Sequence, residues 1–248
     1  MPSEESALNH EDFPLSSKYD PQWVLENEMG PNALWLTESL CNCMELRPGM
    51  RVLDLGCGKA MTSIFLAKEY GVQVWATDLW IQATDNWKRI REAGVGDRVF
   101  PIHAEARSLP FAEEFFGAIV CVDTYFYYGT DDFYLGYFAK FVRRGGQIGV
   151  IHPGLTRDLN GTVPQHLQSW PFDGYHTALW WRRHWERTGL VDVELAHALP
   201  NGWGLWLRWE EARDAAGATK RGSDADVIRA DSGRYLGFVR MVARRRLE

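Results

Sequence analysis

The chain has 248 residues, of which 46% are apolar and 13% aromatic; that is enough for one large core, and it reads as a single domain. Its formal net charge of −6 argues against a general nucleic-acid binder, whose phosphate contacts need an excess of Lys and Arg on one face. There is no apolar run of about 18 residues, and the N-terminus (MPSEESALNHEDF) is acidic, so the expectation is a cytoplasmic protein without membrane insertion, monomeric or homodimeric.

In chain order, a polar stretch of turn-forming residues leads to a helix expected over 31–45, with Pro31 in its first turn. Strands and helices then alternate: a strand over 51–55, a helix over 61–70 ended by Gly71, a strand over 72–77 and a helix over 81–93 closed by Gly94. Further strands are expected over 98–102, 117–122 and 147–152, with a helix near 131–142 and a turn at Arg144, Gly145 and Gly146. Such a βαβ series implies a parallel sheet with helical crossovers. Residues 153–175 carry three prolines and three glycines without periodicity and read as a long, functional loop. After it come a Trp-rich helix (177–188), a strand (190–197), a second Trp-rich segment (201–213), a polar stretch (214–232) and a last strand (234–243). Within the single domain, 1–47 form an N-terminal helical cap, 48–152 a ligand-binding core, and 153–248 pocket elements and the last strands.

The stretch VLDLGCGKA (52–60) carries the chemistry. Gly56 and Gly58 let backbone approach a ligand closely at the end of the first strand. A dinucleotide fingerprint would need glycine at 61, where Met61 stands, and Asp54 just before the turn would repel a pyrophosphate. A cationic ligand reverses that argument: S-adenosylmethionine carries a sulfonium and an ammonium, and Asp54 is placed to receive the amino group directly or through water. Capping of the turn's own N–H groups is the plain structural role for the same carboxylate. Asp78 ends the second strand and can accept both ribose hydroxyls. Glu105, after the third strand in HAEARSLPF, can accept from an adenine amino group. Cys41, Cys43, Cys57 and Cys121 are scattered over different elements and read as reduced thiols, with no metal site expected.

Taken together, VLDLGCGKA, VWATD, HAEARSLPF and AIVCVD, in this order over about 48–151, resemble the class I S-adenosylmethionine-dependent methyltransferases. MGPNALWLTESL, WWRRHWERTGL and WGLWLRWEEA more loosely resemble a bacterial small-molecule branch related to cyclopropane-fatty-acid synthase and the ubiquinone/menaquinone methyltransferases. The resemblance implies an α/β Rossmann-like three-layer sandwich: a seven-stranded sheet of order 3-2-1-4-5-7-6, the last strand antiparallel, with an aromatic-rich substrate cap. It implies cofactor contacts from Tyr19, Asp54, Gly56, Cys57, Gly58, Thr62, Asp78, Leu79, Trp80, Glu105, Ala106 and Asp123. Ala60 replaces a glycine common in the motif, and Glu105 stands where Asp is commoner.

Methyl transfer is an in-line displacement that depends chiefly on positioning, so the acceptor side is read from what shapes the pocket. At the end of the fourth strand, Asp123 is a candidate general base, and Tyr125, Tyr127 and Tyr128 are candidates to orient the acceptor, with aromatic packing as the plain alternative for each. Phe126 occupies the loop where relatives often carry histidine. His176, beside Tyr175, is the favoured histidine over His152 and His184. Trp170, Trp180, Trp181, Trp185, Trp203, Trp206 and Trp209 fit an aromatic wall over a cationic or apolar acceptor, or core packing. The expected activity is methylation of a small molecule, with nitrogen favoured over oxygen or carbon. Lipid or quinone methylation, cofactor binding without catalysis, and an NAD-dependent reductase are the rivals.

Overall fold

The computed structural model describes residues 8–170, 174–218 and 224–248. Two short pieces of structure occupy the stretch read as turns: a 3-10 turn at Ser16–Lys18 and helix α1 (Pro21–Asn27). Asp20 caps α1 by accepting from the Trp23 N–H at 2.8 Å, and Pro21 takes the first helical position, where its missing N–H costs nothing. Helix α2 (Ala33–Cys41) is shorter than the expected 31–45 because Asn32 is the true cap, its Oδ1 accepting from Leu34 and Trp35.

The alternating series follows: β1 (Arg51–Leu55), α3 (Met61–Tyr70), β2 (Gln73–Asp78), α4 (Ala83–Glu92), β3 (Val99–His103), β4 (Phe116–Val122), α5 (Tyr134–Phe138) and β5 (Val142–Leu155). The chain ends with α6 (Ala178–Glu186), β6 (Val191–Ala198), α7 (Gly202–Ala215), α8 (Ala225–Asp231) and β7 (Leu236–Arg245). Among the described residues the strands form one seven-stranded sheet of order β3-β2-β1-β4-β5-β7-β6. β1 to β5 are mutually parallel, and β7 is antiparallel to both β5 and β6. This is the Rossmann-like order that the family resemblance implies.

Three expectations need correction. β5 runs through the glycine turn expected at 144–146 and on to Leu155, because β7 pairs with it from Gln147↔Arg244 to Leu155↔Leu236. The turn survives as an irregularity in the β4–β5 register, with Gly145 at φ 73. The long loop thus begins later and contains a short 3-10 turn at Gln165–Leu167; residues 171–173 lie outside the described structure. The polar stretch 214–232 holds α8, although its residues 219–223 also lie outside the described structure.

Strand alternation divides the core. Val52, Val74 and Val120 join the layer made with Leu40 of α2, Ile64 of α3, Ile90 of α4 and Trp206 of α7. Leu53, Leu55, Ile119 and Cys121 point the other way, against Phe138 of α5 and Trp181 and Trp185 of α6. Asp54 shares the face of Val52, so the carboxylate lies under α3. The site is built where β1, β2 and β4 end, as expected for an open parallel sheet.

Candidate active site

Beyond the carboxyl end of β1 lies a cavity of about 260 Å³. Its floor is the turn from Gly56 to Gly58, where both glycines have positive φ (76 and 53). A Cβ on Gly56 would come within 2.4 Å of the Thr124 side chain, and one on Gly58 within 2.8 Å of Met29 Sδ. The glycines therefore do two jobs: they allow the backbone to turn, and they let the β4 loop and an N-terminal segment close on the turn. Ala60 is also left-handed, at φ 62, and fully buried ahead of α3. The glycine expected there would relieve strain; alanine tolerates it because the surrounding core holds the position.

Asp54 is buried beneath the turn, with Oδ2 accepting from the Thr62 and Ser63 hydroxyls, the latter at 2.6 Å. Its Oδ1 has no partner among the described residues, and burial pushes the carboxyl up to about 6 against the lowering effect of the two hydroxyls. An orphaned, buried carboxylate oxygen beside a glycine turn fits a cationic ligand and opposes a pyrophosphate. Asp78 is held by three backbone donors: Gly58 N to Oδ2 at 2.9 Å, and Trp80 N and Ile81 N to Oδ1 at 2.7 and 2.9 Å. A carboxylate has about four lone-pair sites, so about one is left for a ribose hydroxyl in this geometry. Glu105 also lines the cavity, its Oε2 accepting from Arg107 N at 2.7 Å and its Oε1 facing the Arg107 guanidinium.

Cys57, Thr62, Leu79, Trp80, Ala106, Asp123 and Tyr128 line the same cavity. Asp123 stands at the end of β4 with φ 56, its N–H donating to Ile151 O at 2.8 Å. Its carboxyl has no hydrogen-bond or ionic partner among the described residues, and burial pushes it up to about 8. The Tyr128 hydroxyl accepts from Thr124 Oγ1 at 3.4 Å and reaches toward Cys121 Sγ.

Four expected site residues are placed elsewhere by packing. Asp54 lies buried beneath the turn and does not line the cavity among the described residues. Tyr19 lines a separate surface groove, where its hydroxyl donates to Glu69 at 3.3 Å and its ring packs on Trp23 and Phe65. Tyr125 is fully buried, ringed by Tyr128, Phe138, Trp181 and Trp185, because the 3-10 turn at 125–127 rotates it into the core and Tyr127 outward. His176 stacks on Trp180 at 3.7 Å and does not line the cavity among the described residues.

The Trp-rich wall is likewise displaced. Trp181 and Trp185 are core, Trp180 is sandwiched between His176 and His184, and Trp206 packs on Phe238. His152 is buried and lowered to about 4 by that burial, with Nε2 unpartnered. Among the described residues, the tryptophan that lines the cavity is Trp80.

The N-terminal segment expected as a cap supplies the roof, through residues that the sequence did not single out. Asn27, Met29, Gly30 and Pro31 close the cavity from above, between α1 and α2. Trp209 donates its indole N–H to Gly30 O at 2.8 Å, Lys59 donates to Glu26 O at 2.8 Å, and Arg213 pairs with Glu28 at 3.3 Å. Arg213 also holds the buried Glu210 at 2.9 Å. Gly30 lies so close to Asp123 that a Cβ there would be 2.2 Å from Oδ2.

Comparison with known proteins bears on this geometry. Residues 52–146 match the family described as "Methyltransferase domain". The matched stretch runs from β1 into β5 and is less than half of the chain. A methyltransferase of Streptomyces halstedii, GfsG, is 28% identical over 46% of this chain and 42% of its own length. The 27-O-demethylrifamycin SV methyltransferase of Amycolatopsis mediterranei is 27% identical over 46% of this chain and 43% of its own. The chain thus spans less than half the length of these curated relatives. In fold, a phosphoethanolamine N-methyltransferase of Haemonchus contortus superposes with a TM-score of 0.73 at 16% identity, over 99% of this chain and 61% of that one. The [4+2]-cyclase SpnF superposes with a TM-score of 0.70 at 19% identity, over 86% and 81% of the two chains. Because that neighbour is a cyclase, the shared fold alone does not fix the reaction. The cofactor of the class is S-adenosylmethionine, and the glycine turn, the orphaned Asp54 oxygen and the acids at the ends of β2 and β3 suit it. Among the described residues no helix is long and apolar enough to cross a membrane, and no group of His, Cys, Asp or Glu could hold a metal ion.

Proposed function

We propose that the protein moves a methyl group from S-adenosylmethionine to the amine nitrogen of a small molecule. The carrying observation is Asp123. Of the three acids lining the cavity, Asp78 is satisfied by backbone N–H groups and Glu105 by Arg107, whereas Asp123 has neither among the described residues. An uncompensated carboxyl facing an enclosed space is a site for a positive charge.

In this reading Gly56 to Gly58, Asp78 and Glu105 hold the adenosine, Asp54 supports the amino-acid end, and Thr62 keeps Asp54 oriented. Bound there, the cofactor supplies an electrophilic methyl on sulfur. An acceptor ammonium placed against Asp123 would draw the carboxyl into its charged form, and the carboxylate could then take the proton that must leave before nitrogen attacks. The roof from Asn27 to Pro31 excludes water and fixes the approach. Tyr128 bounds the acceptor with its ring, and His176 has no direct role.

O-methylation is the second reading, favoured by the name of the rifamycin relative. One experiment separates the readings. The protein is incubated with methyl-labelled cofactor and extract of its source cells, and the labelled product is identified by mass spectrometry. A methylated amine is expected. A methyl ether or a C-methylated product would overturn the nitrogen assignment, and cofactor binding without any labelled product would favour a non-catalytic binder.

A further inference from the structure

Nine large apolar side chains are well exposed among the described residues, and four of them, Met29, Leu79, Trp80 and Tyr127, line this one cavity. They come from three separate segments: the roof, the loop after β2 and the loop after β4. Single exposed apolar residues need no explanation, but four converging on one opening do. Trp80 is 65% exposed and Tyr127 58%, and their rings meet edge to face at 5.9 Å. The 3-10 turn at 125–127 is what holds Tyr127 outward while Tyr125 is buried.

Inside this rim is the carboxyl of Asp123, without a hydrogen-bond or ionic partner among the described residues. We infer that the acceptor is an amphiphilic amine, whose ammonium head enters to Asp123 and whose apolar body lies outside on the rim of Met29, Trp80 and Tyr127. The inference rests on the amine reading above and adds the shape and polarity of the substrate. A small, wholly polar amine would leave the rim in water. A wholly apolar acceptor would leave Asp123 without a counter-charge. Trp and Tyr faces also favour the carbons next to an ammonium, which carry part of its charge.

The test is calorimetric titration of straight-chain primary amines, from propyl to octyl, and of the matching alcohols, into the protein saturated with S-adenosylhomocysteine. Amine affinity is expected to rise about fourfold per added methylene until the rim is covered, the factor that corresponds to burying one CH₂. In Trp80→Ser and Tyr127→Ser the gain per methylene should fall below about twofold, with propylamine affinity unchanged. Tyr127→Phe should restore the slope, and urea unfolding of each variant checks that it is folded. Affinity independent of chain length, or the full slope retained in both serine variants, would overturn the inference. Alcohols matching the amines in both affinity and slope would keep the rim and overturn the amine reading instead.

Discussion

Replacing Gly56 by alanine tests how the cofactor turn and the acceptor loop are joined. Two costs can be worked from the geometry. The backbone at φ 76 is left-handed, which costs a residue with a Cβ roughly 1–2 kcal/mol. The new methyl would lie 2.4, 2.5 and 2.6 Å from Oγ1, Cγ2 and Cβ of Thr124, so no rotation of the Thr124 side chain removes the clash. Overpacking of this kind costs about 1–3 kcal/mol. The sum is a loss of about 2–5 kcal/mol, read from urea unfolding curves. Thr124→Gly removes all three clashing atoms and leaves the backbone strain, so the double variant should recover part of the loss and the two changes should couple by about 1–3 kcal/mol. Thr124 adjoins Asp123, so in Gly56→Ala the β4 loop is pushed away and turnover should fall more than stability alone explains. A loss below about 1 kcal/mol, or strict additivity with Thr124→Gly, would refute the reasoning.

The other expectations concern charge and strain. Burial raises Asp123 from 3.8 to about 8, so between those pH values the folded protein keeps a proton that the unfolded chain has lost. Stability should therefore fall as pH rises from about 4 toward 8, and Asp123→Asn should flatten that slope in urea midpoints taken across the range; a slope unchanged in the variant would contradict it. Arg213→Gln leaves the buried Glu210 unpaired and frees Glu28, so it should cost about 3–5 kcal/mol and speed S-adenosylhomocysteine dissociation in stopped-flow fluorescence. Ala60→Gly relieves a left-handed backbone but removes a buried methyl worth about 0.8 kcal/mol, so the unfolding midpoint should move little; a loss above about 2 kcal/mol would show that the site is not strained.

β1, β2 and β4 were legible because each is an apolar run ended by glycine or aspartate, as in VLDLG and VWATD, and the family resemblance that these motifs carry implied the topology. That Asp78 and Glu105 line one cavity was legible for the same reason: residues at or just after a strand end are fixed by the strand. What failed were residues whose direction depends on a turn of three or four residues. Tyr125 and Tyr127 are two apart in sequence, yet a 3-10 turn buries one and exposes the other. The tryptophans failed differently, because helical spacing places Trp181 and Trp185 on one face without saying whether that face meets the sheet or a ligand. The roof left almost no trace beyond Gly30 and Pro31, since it is held by contacts with Trp209 and Arg213, about 180 residues away in the chain.

The claim on which everything else rests is that this cavity takes S-adenosylmethionine through Asp54 and Asp78. Calorimetric titration with S-adenosylhomocysteine tests it directly, using the wild-type protein, Asp54→Ala and Asp78→Ala. Losing hydrogen bonds to a charged group costs about 1.5–3 kcal/mol, so each variant should bind about tenfold to a hundredfold more weakly while the wild type forms a one-to-one complex. Unchanged affinity in both variants, or binding of NADH in place of S-adenosylhomocysteine, would contradict the account.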